Sequence, residues 1–427
     1  MRIPIDAPCV RRACARLSLA AVIATLALPL SAAALDLNLN DALARAAAFD
    51  PARNAVGARV EAAEAVVRQA SVKPVPTLGF DVENFTGSGP YGLLDRSETT
   101  LSYARPLERA GKREARVGRA RAEVEVVRAR SIVARLDLLR DVQTAFAEAL
   151  AADAELLVAE ARWVAAQASQ RDIARRVKSA RDPLFAGSRA EAMTAQAEIA
   201  RDQARDSVRA SRDALAAFWG GTADFTLRLD DFFNVTPPVD RTDGNVPDLA
   251  LLEAERSVAI ATIRVEQSHN LADPTVRAGL RYFGQGGDAA LVVGGSIPLG
   301  VRTANRANVE RALAERSAAE AEIAAASVIR AREIARRLTR LQALAFESER
   351  IRAEVIPHTI RAVEQVTAGF NRGGFEYLDV TEAERALADA RARRVAVLRE
   401  FHTGLATLDR LTGKHRALAA TQTEERR

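Results

Sequence analysis

Residues 106–123, PLERAGKREARVGRARAE, return in altered form as residues 298–315, PLGVRTANRANVERALAE. At a constant offset of 192 residues, Pro106, Leu107, Ala115, Val117, Arg119, Ala120, Ala122 and Glu123 meet identical types at Pro298, Leu299, Ala307, Val309, Arg311, Ala312, Ala314 and Glu315. Such a match marks an internal duplication, so whatever one half folds into, the other half must fold into as well. Each copy lies where a short alternating stretch gives way to a very long helical run. Proline fits that junction because its fixed φ and missing N–H suit a strand end or the approach to a helix.

The period of the apolar residues defines the repeated unit. Residues 38–71 read as a first helix, capped by Asn40 or Asp41 and ended by Lys73-Pro74-Val75-Pro76. From Thr77 the period becomes two: Leu78, Phe80 and Val82 alternate with Gly79, Asp81 and Glu83, and a strand returns from about Glu98 with Leu101 and Tyr103 on one face. In the second copy Val276, Ala278, Leu280 and Tyr282 alternate with Thr275, Arg277, Gly279 and Arg281, and residues 289–299 return. Strands of about 10 residues with one apolar face are long enough for an outer-membrane barrel, although a half-buried sheet of a soluble domain fits the pattern equally well.

Long helical tracts follow both hairpins. Residues 112–178 contain no proline, and residues 302–368 contain only Pro357. Each would extend on the order of 100 Å if continuous. Apolar residues recur at three, four and seven among many alanines, as a coiled coil requires. After turns at residues 181–188 and 369–375, returning helices are expected over 189–218 and 376–411. The chain thus divides into a leader (1–34), a first unit (35–219), a linker or side segment (220–246), a second unit (247–413) and a flexible tail (414–427).

The leader has arginines at 2, 11, 12 and 16, an apolar run over 17–30 and small residues over 31–34, the pattern of a secretory signal peptide cleaved near Ala33 or Ala34. Both cysteines, Cys9 and Cys14, precede that run, so the mature protein would have neither a disulfide nor a lipidated N-terminal cysteine. Beyond the leader no apolar run reaches the ~18 residues of a spanning helix, so membrane residence would require a β-barrel. The 61 basic and 56 acidic residues are interspersed, unlike the concentrated basic face of a nucleic-acid-binding protein. The four histidines are scattered without partners at ligand spacing, and no phosphate-binding loop, dinucleotide fingerprint or nucleophile elbow occurs. No catalytic, cofactor or metal site is therefore expected.

The acids of interest are Asp379, Glu382 and Glu191, in the first turns of the returning helices. Helix N-termini attract acids in any case. Oligomerisation about an axis would give them a second role. Four strands cannot close a membrane barrel, which needs at least eight, whereas three copies supply twelve. A trimer would repeat each tip acid three times around a tunnel, where it would attract cations and favour gating.

These parts together resemble the TolC-like outer-membrane efflux factors, over essentially the whole mature chain. Residues 82–92 (VENFTGSGPYG) and 97–113 (SETTLSYARPLERAGKR) resemble more specifically the CzcC branch, which serves heavy-metal efflux pumps. The resemblance implies a mainly α fold with a small β part: a homotrimer with long antiparallel hairpins forming an α-barrel, above which four strands per chain build a shared twelve-strand barrel in outer-membrane lipid. It implies a passive duct, joined at its tip by a periplasmic adaptor and supplied by an inner-membrane pump of the resistance-nodulation-division class. The gate acids fall on Asp379 and Glu382 within Leu378-Asp-Val-Thr-Glu-Ala383, with Glu191 as their first-half counterpart. Gly187, Ser188, Gly369, Phe370, Arg372 and Gly373 fall on the tip turns that adaptors touch. Where the TolC type locks its closed tip with an arginine, this chain has Phe375, with Arg372 nearby. A duct for small organic compounds and a non-pore periplasmic coiled coil are the alternative readings.

Overall fold

The computed structural model describes residues 35–50, 52–91, 94–239 and 246–424. The expected signal peptide lies outside them. A three-residue strand β1 (Leu35–Leu37) leads into helix α1 (Leu39–Phe49), which is capped by Asn38, whose side-chain carbonyl accepts from the Asp41 N–H at 2.9 Å. The single first helix expected over 38–71 is in fact two, because Pro51 follows Asp50 and a residue before proline is driven from helical geometry. Asp50 has ψ of 101°, and α2 (Arg53–Ala70) starts afresh.

Strands β2 (Thr77–Glu83) and β3 (Glu98–Pro106) form the first hairpin. Helix α3 (Lys112–Lys178) then runs without interruption for 67 residues, and α4 (Leu184–Ala216) returns beside it. A short strand β4 (Phe225–Leu227) and a single helical turn α5 (Asp230–Phe233) precede α6 (Pro247–Ser268). The second hairpin, β5 (Thr275–Phe283) and β6 (Ala289–Ser296), opens into α7 (Val301–Arg350).

Pro357 does not break the second long helix. It is preceded by a π-helical turn at Ile351–Val355, and α8 (Ile356–Asn371) continues directly. The wider turn accommodates the proline ring and the missing donor while the rod stays whole. Helix α9 (Tyr377–Thr412) returns, and α10 (Arg416–Glu424) follows. The segment expected to be a flexible tail from 414 is thus helical through Glu424. Ala419 is buried there in the main core, and apolar contact outweighs the polar character of the flanking residues.

That main core lies at mid-height around α3. Leu136, Leu139, Phe146 and Leu150 pack there with Leu37 and Leu43, with Phe225 and Phe232 of the inter-repeat segment, and with Leu398 of α9. Strands β1 and β4 pair in parallel across 190 residues, tying the start of the first unit to the segment between the units. A charged cluster secures the same level: the Arg410 guanidinium contacts both Asp248 oxygens at 2.7 and 2.9 Å and Asp137 at 2.7 Å, linking α9, α6 and α3. A separate small core closes the far end, where Ile173, Ala186, Ala190, Phe370 and Val380 bring all four hairpin helices together.

Candidate channel wall and tip

The two hairpins form one antiparallel sheet in the order β2-β3-β5-β6, with β3 paired to β5 from Glu98↔Phe283 to Pro106↔Thr275. Because side chains alternate, this register decides what each face carries. One face aligns Leu78, Tyr103, Ala278 and Val293 in one row and Phe80, Leu101, Leu280 and Leu291 in the next. These large side chains are not covered: Leu78 is 74% exposed, Phe80 68%, Leu291 76% and Val293 73%. In water such a continuous apolar surface is unfavourable, at about 25 cal/mol per Å².

The opposite face is polar. Arg281 lies at its centre, donating to Thr100 Oγ1 at 2.9 Å and pairing with Glu98 at 2.7 Å and Glu83 at 2.9 Å. Ser102 is buried between Gly79 and Gly279, where a Cβ on Gly279 would lie 2.6 Å from the Leu101 carbonyl oxygen. The absent side chains let the strands curl toward this face, as a barrel wall must. Both outer strands, β2 and β6, have an edge left unpaired among the described residues. Since β2 and β6 run antiparallel to each other, the edge of one copy can continue the antiparallel order of the next.

The junction below the sheet is held by Lys112, whose ammonium is buried, donates to the Leu271 carbonyl at 2.7 Å and pairs with Asp273 at 2.7 Å. In the second copy a neutral residue has this role: the Asn305 amide donates to the Glu266 carbonyl at 2.6 Å. Among the described residues no helix is long and apolar enough to cross a membrane, a fact that says nothing of a β-barrel.

At the far tip, Asp379 lies in the first turn of α9, where its carboxylate accepts from the Glu376 N–H at 2.9 Å in a reciprocal capping box. Glu382 and Glu191 are exposed, and neither forms an ion pair among the described residues. Their neighbours Val380 and Ala190 share the small tip core, which puts the three acids at the same end of the molecule. Ser188, Arg372 and Gly373 are exposed, and Gly187 is half-buried. Gly369 and Phe370 are buried and support the tip from within. Gly369 is required by contact, since a Cβ there would lie 2.1 Å from the Phe375 ring, and Gly373 by its φ of +84°. Phe375 thus packs onto its own turn, and Arg372 makes no ion pair among the described residues.

Three tip features escaped the sequence reading. Arg176 pairs with Asp182 at 2.7 Å, donates to the Phe370 carbonyl at 3.1 Å and lies 4.1 Å above the Phe370 ring, joining the two hairpins. Its basic neighbours Arg175, Lys178 and Arg181 disguised it as part of a solvated face. Glu384 is half-buried and accepts from the Ser169 hydroxyl at 3.3 Å, and burial raises its pKa above the ordinary carboxylate value. Leu184 and Phe185, at the turn of the first hairpin, are 82% and 70% exposed.

An uncovered apolar sheet face backed by a polar one, set on long paired helices, fits a subunit of a membrane channel wall. The sequence matches the outer membrane efflux protein family over residues 38–221 and 239–414, and the chain belongs to that family. It is 28% identical over 388 residues to the cobalt-zinc-cadmium resistance protein CzcC of Cupriavidus metallidurans, covering 88% of this chain and 90% of that one. Its fold is similar to that of the outer membrane protein VceC of Vibrio cholerae, with a TM-score of 0.69 at 22% identity over 88% of this chain and 96% of that one. It is also similar to CusC, with a TM-score of 0.72 at 16% identity over 89% of this chain and 93% of that one. The fold is therefore the TolC-like one, and the chain is an outer-membrane efflux channel component, not an enzyme.

Proposed function

We propose that three copies of the mature chain form a passive duct for heavy-metal cations, running from the periplasm through the outer membrane. The observation that carries this reading is the four-stranded sheet, which leaves a continuous apolar face exposed and two edges open. Unpaired backbone groups cannot remain in hydrocarbon, so the sheet is stable in a bilayer only as part of a closed barrel. Three copies give twelve antiparallel strands, with Leu78, Phe80, Leu280 and Leu291 toward lipid and Arg281 toward the lumen. Below it, α3 would extend about 100 Å into the periplasm.

The metal substrate is inferred from the likeness to CzcC, whose name specifies cobalt, zinc and cadmium resistance. The duct itself has little to select with, because no group of three or more His, Cys, Asp or Glu is placed to hold a metal among the described residues. Rings of Asp379, Glu382 and Glu191 would favour cations at the tip. Energy and selection then belong to an inner-membrane proton-driven pump of the resistance-nodulation-division class, reached through a periplasmic adaptor. Leu184 and Phe185 support docking at the tip, together with Gly187, Ser188, Arg372 and Gly373 and with Gly369 and Phe370 as their support. The signal peptide directs export, and no cysteine remains to carry a lipid.

Deleting the gene in its host tests the substrate: zinc, cobalt or cadmium should accumulate in the periplasm and tolerance should fall, and both should recover with the wild-type gene. Unchanged metal tolerance with increased sensitivity to organic compounds would replace the metal reading with a drug duct.

A further inference from the structure

We propose that a basic crevice at the junction of β3 and α3 binds the phosphodiester of an anionic phospholipid from the periplasmic leaflet of the outer membrane. This rests on reading the sheet as part of a membrane barrel. The crevice has a volume of about 250 Å³ and is lined by Lys73, Arg105, Arg109, Lys112 and Arg113 together with Glu108 and Glu114.

Most of these charges are already paired. Lys112 is held by Asp273, Arg113 lies 3.2 Å from Glu114, and Glu108 is paired with Arg116. The side chains of Lys73, Arg105 and Arg109 are exposed and have no ion-pair partner among the described residues, so the crevice keeps an uncompensated positive charge.

Their position points to lipid. By strand alternation Arg105 shares the apolar face with Leu101 and Tyr103, and it pairs across the sheet with Val276, which is 47% exposed. Leu107, whose N–H donates to the Pro274 carbonyl at 2.8 Å, is 40% exposed, and nearby Ile297 and Leu299 are 52% and 89% exposed. The cations thus lie at the helix-side edge of the apolar belt, where headgroup phosphates sit and where a long basic side chain reaches from hydrocarbon to the interface.

The duplication shows that the fold does not need them. At the offset of 192, Arg105, Arg109, Lys112 and Arg113 correspond to Ile297, Val301, Ala304 and Asn305. The second copy makes the same strand-to-helix passage with none of these cations. Each basic residue near an anionic surface contributes about a fivefold factor, so three uncompensated ones amount to about a hundredfold preference for an anionic over a zwitterionic headgroup.

The test uses the full mature protein in detergent, titrated by native mass spectrometry with phosphatidylglycerol, with phosphatidylcholine and, separately, with inorganic phosphate. The expected result is preferential retention of phosphatidylglycerol, weakened about a hundredfold in Lys73→Gln/Arg105→Gln/Arg109→Gln. It should persist in Arg162→Gln/Arg171→Gln/Arg332→Gln, which removes the same charge from the helices, and in Arg105→Lys. Equal retention by the triple variant, or protection by inorganic phosphate as strong as by the lipid, overturns the proposal. Heat-modifiable migration and outer-membrane fractionation are read on the same preparations. Their loss in the wild type would sink the barrel reading and the lipid site together, whereas an intact barrel without headgroup preference would sink only the site.

Discussion

Replacing Leu280 by arginine separates a membrane wall from a soluble sheet most sharply, because the two accounts assign opposite consequences to it. Leu280 is 57% exposed in the single chain and stands in register between Leu101 and Leu291, in the row that also holds Phe80. On a lipid-facing row near mid-membrane, arginine costs about 2–4 kcal/mol in each chain, or about 6–12 kcal/mol in a threefold assembly. On the surface of a soluble sheet the same exchange would be worth no more than about ±0.5 kcal/mol. The control is Val292→Arg, on the same strand as Leu291 but on the polar face, paired with Gly279, which has no side chain. The assay is the yield of heat-modifiable oligomer in the outer-membrane fraction, followed by its urea midpoint in phosphatidylcholine vesicles. Leu280→Arg should lose most of the assembled form while Val292→Arg keeps it. Equal tolerance of the two variants would refute the assignment of the faces.

Other expectations concern the tip. Asp379→Asn/Glu382→Gln should raise single-channel conductance in planar bilayers and weaken block by trivalent cations. Asparagine is chosen at 379 because Asp379 also completes the capping box of α9 from its first turn, and alanine there would add a folding defect to the charge effect. Arg176→Ala leaves the half-buried Asp182 unpaired and should cost about 1.5–3 kcal/mol of local stability, seen as faster hydrogen exchange over residues 364–384 with the mid-height core unchanged. Burial raises the Glu384 pKa, opposed by the Ser169 hydroxyl, so the folded tip binds its proton more tightly than the unfolded chain does. The contribution of Glu384 to tip stability should therefore be fully present below the ordinary carboxylate pKa and be lost as pH rises through the raised value, a component of the pH dependence that Glu384→Gln should remove.

The long elements were legible in the sequence because their signals repeat many times. Residues 112–178 carry a helical period through 67 positions, and the alternation at 78–82 and 276–282 fixed both faces of the sheet before any register was known. Short or distant pairings were not legible. Strand β1 has three residues and pairs with β4 some 190 positions away, so neither has a local pattern to betray it. The long tract through Pro357 was expected from its period, but the π-helical turn that carries it past the proline has no compositional signature. The tip acids were found as residue types at helix starts, but the capping role of Asp379 appeared only with the Glu376 contact. Arg176 and Glu384 act through contacts between the two repeats, and a one-dimensional reading of either repeat alone cannot bring those partners together.

The central claim is that one chain supplies a third of a closed wall, with β6 of each copy completing β2 of the next. Residues 35–427 contain no cysteine, so single pairs can be introduced at 79 or 81 on β2 and at 290, 292 or 294 on β6 and oxidised in isolated outer membranes. The account predicts that at least one pair yields a covalent species of three times the chain mass and nothing larger, with outer-membrane fractionation intact. A protein that remains an uncross-linked monomer with every pair, and stays monodisperse without detergent, would contradict it.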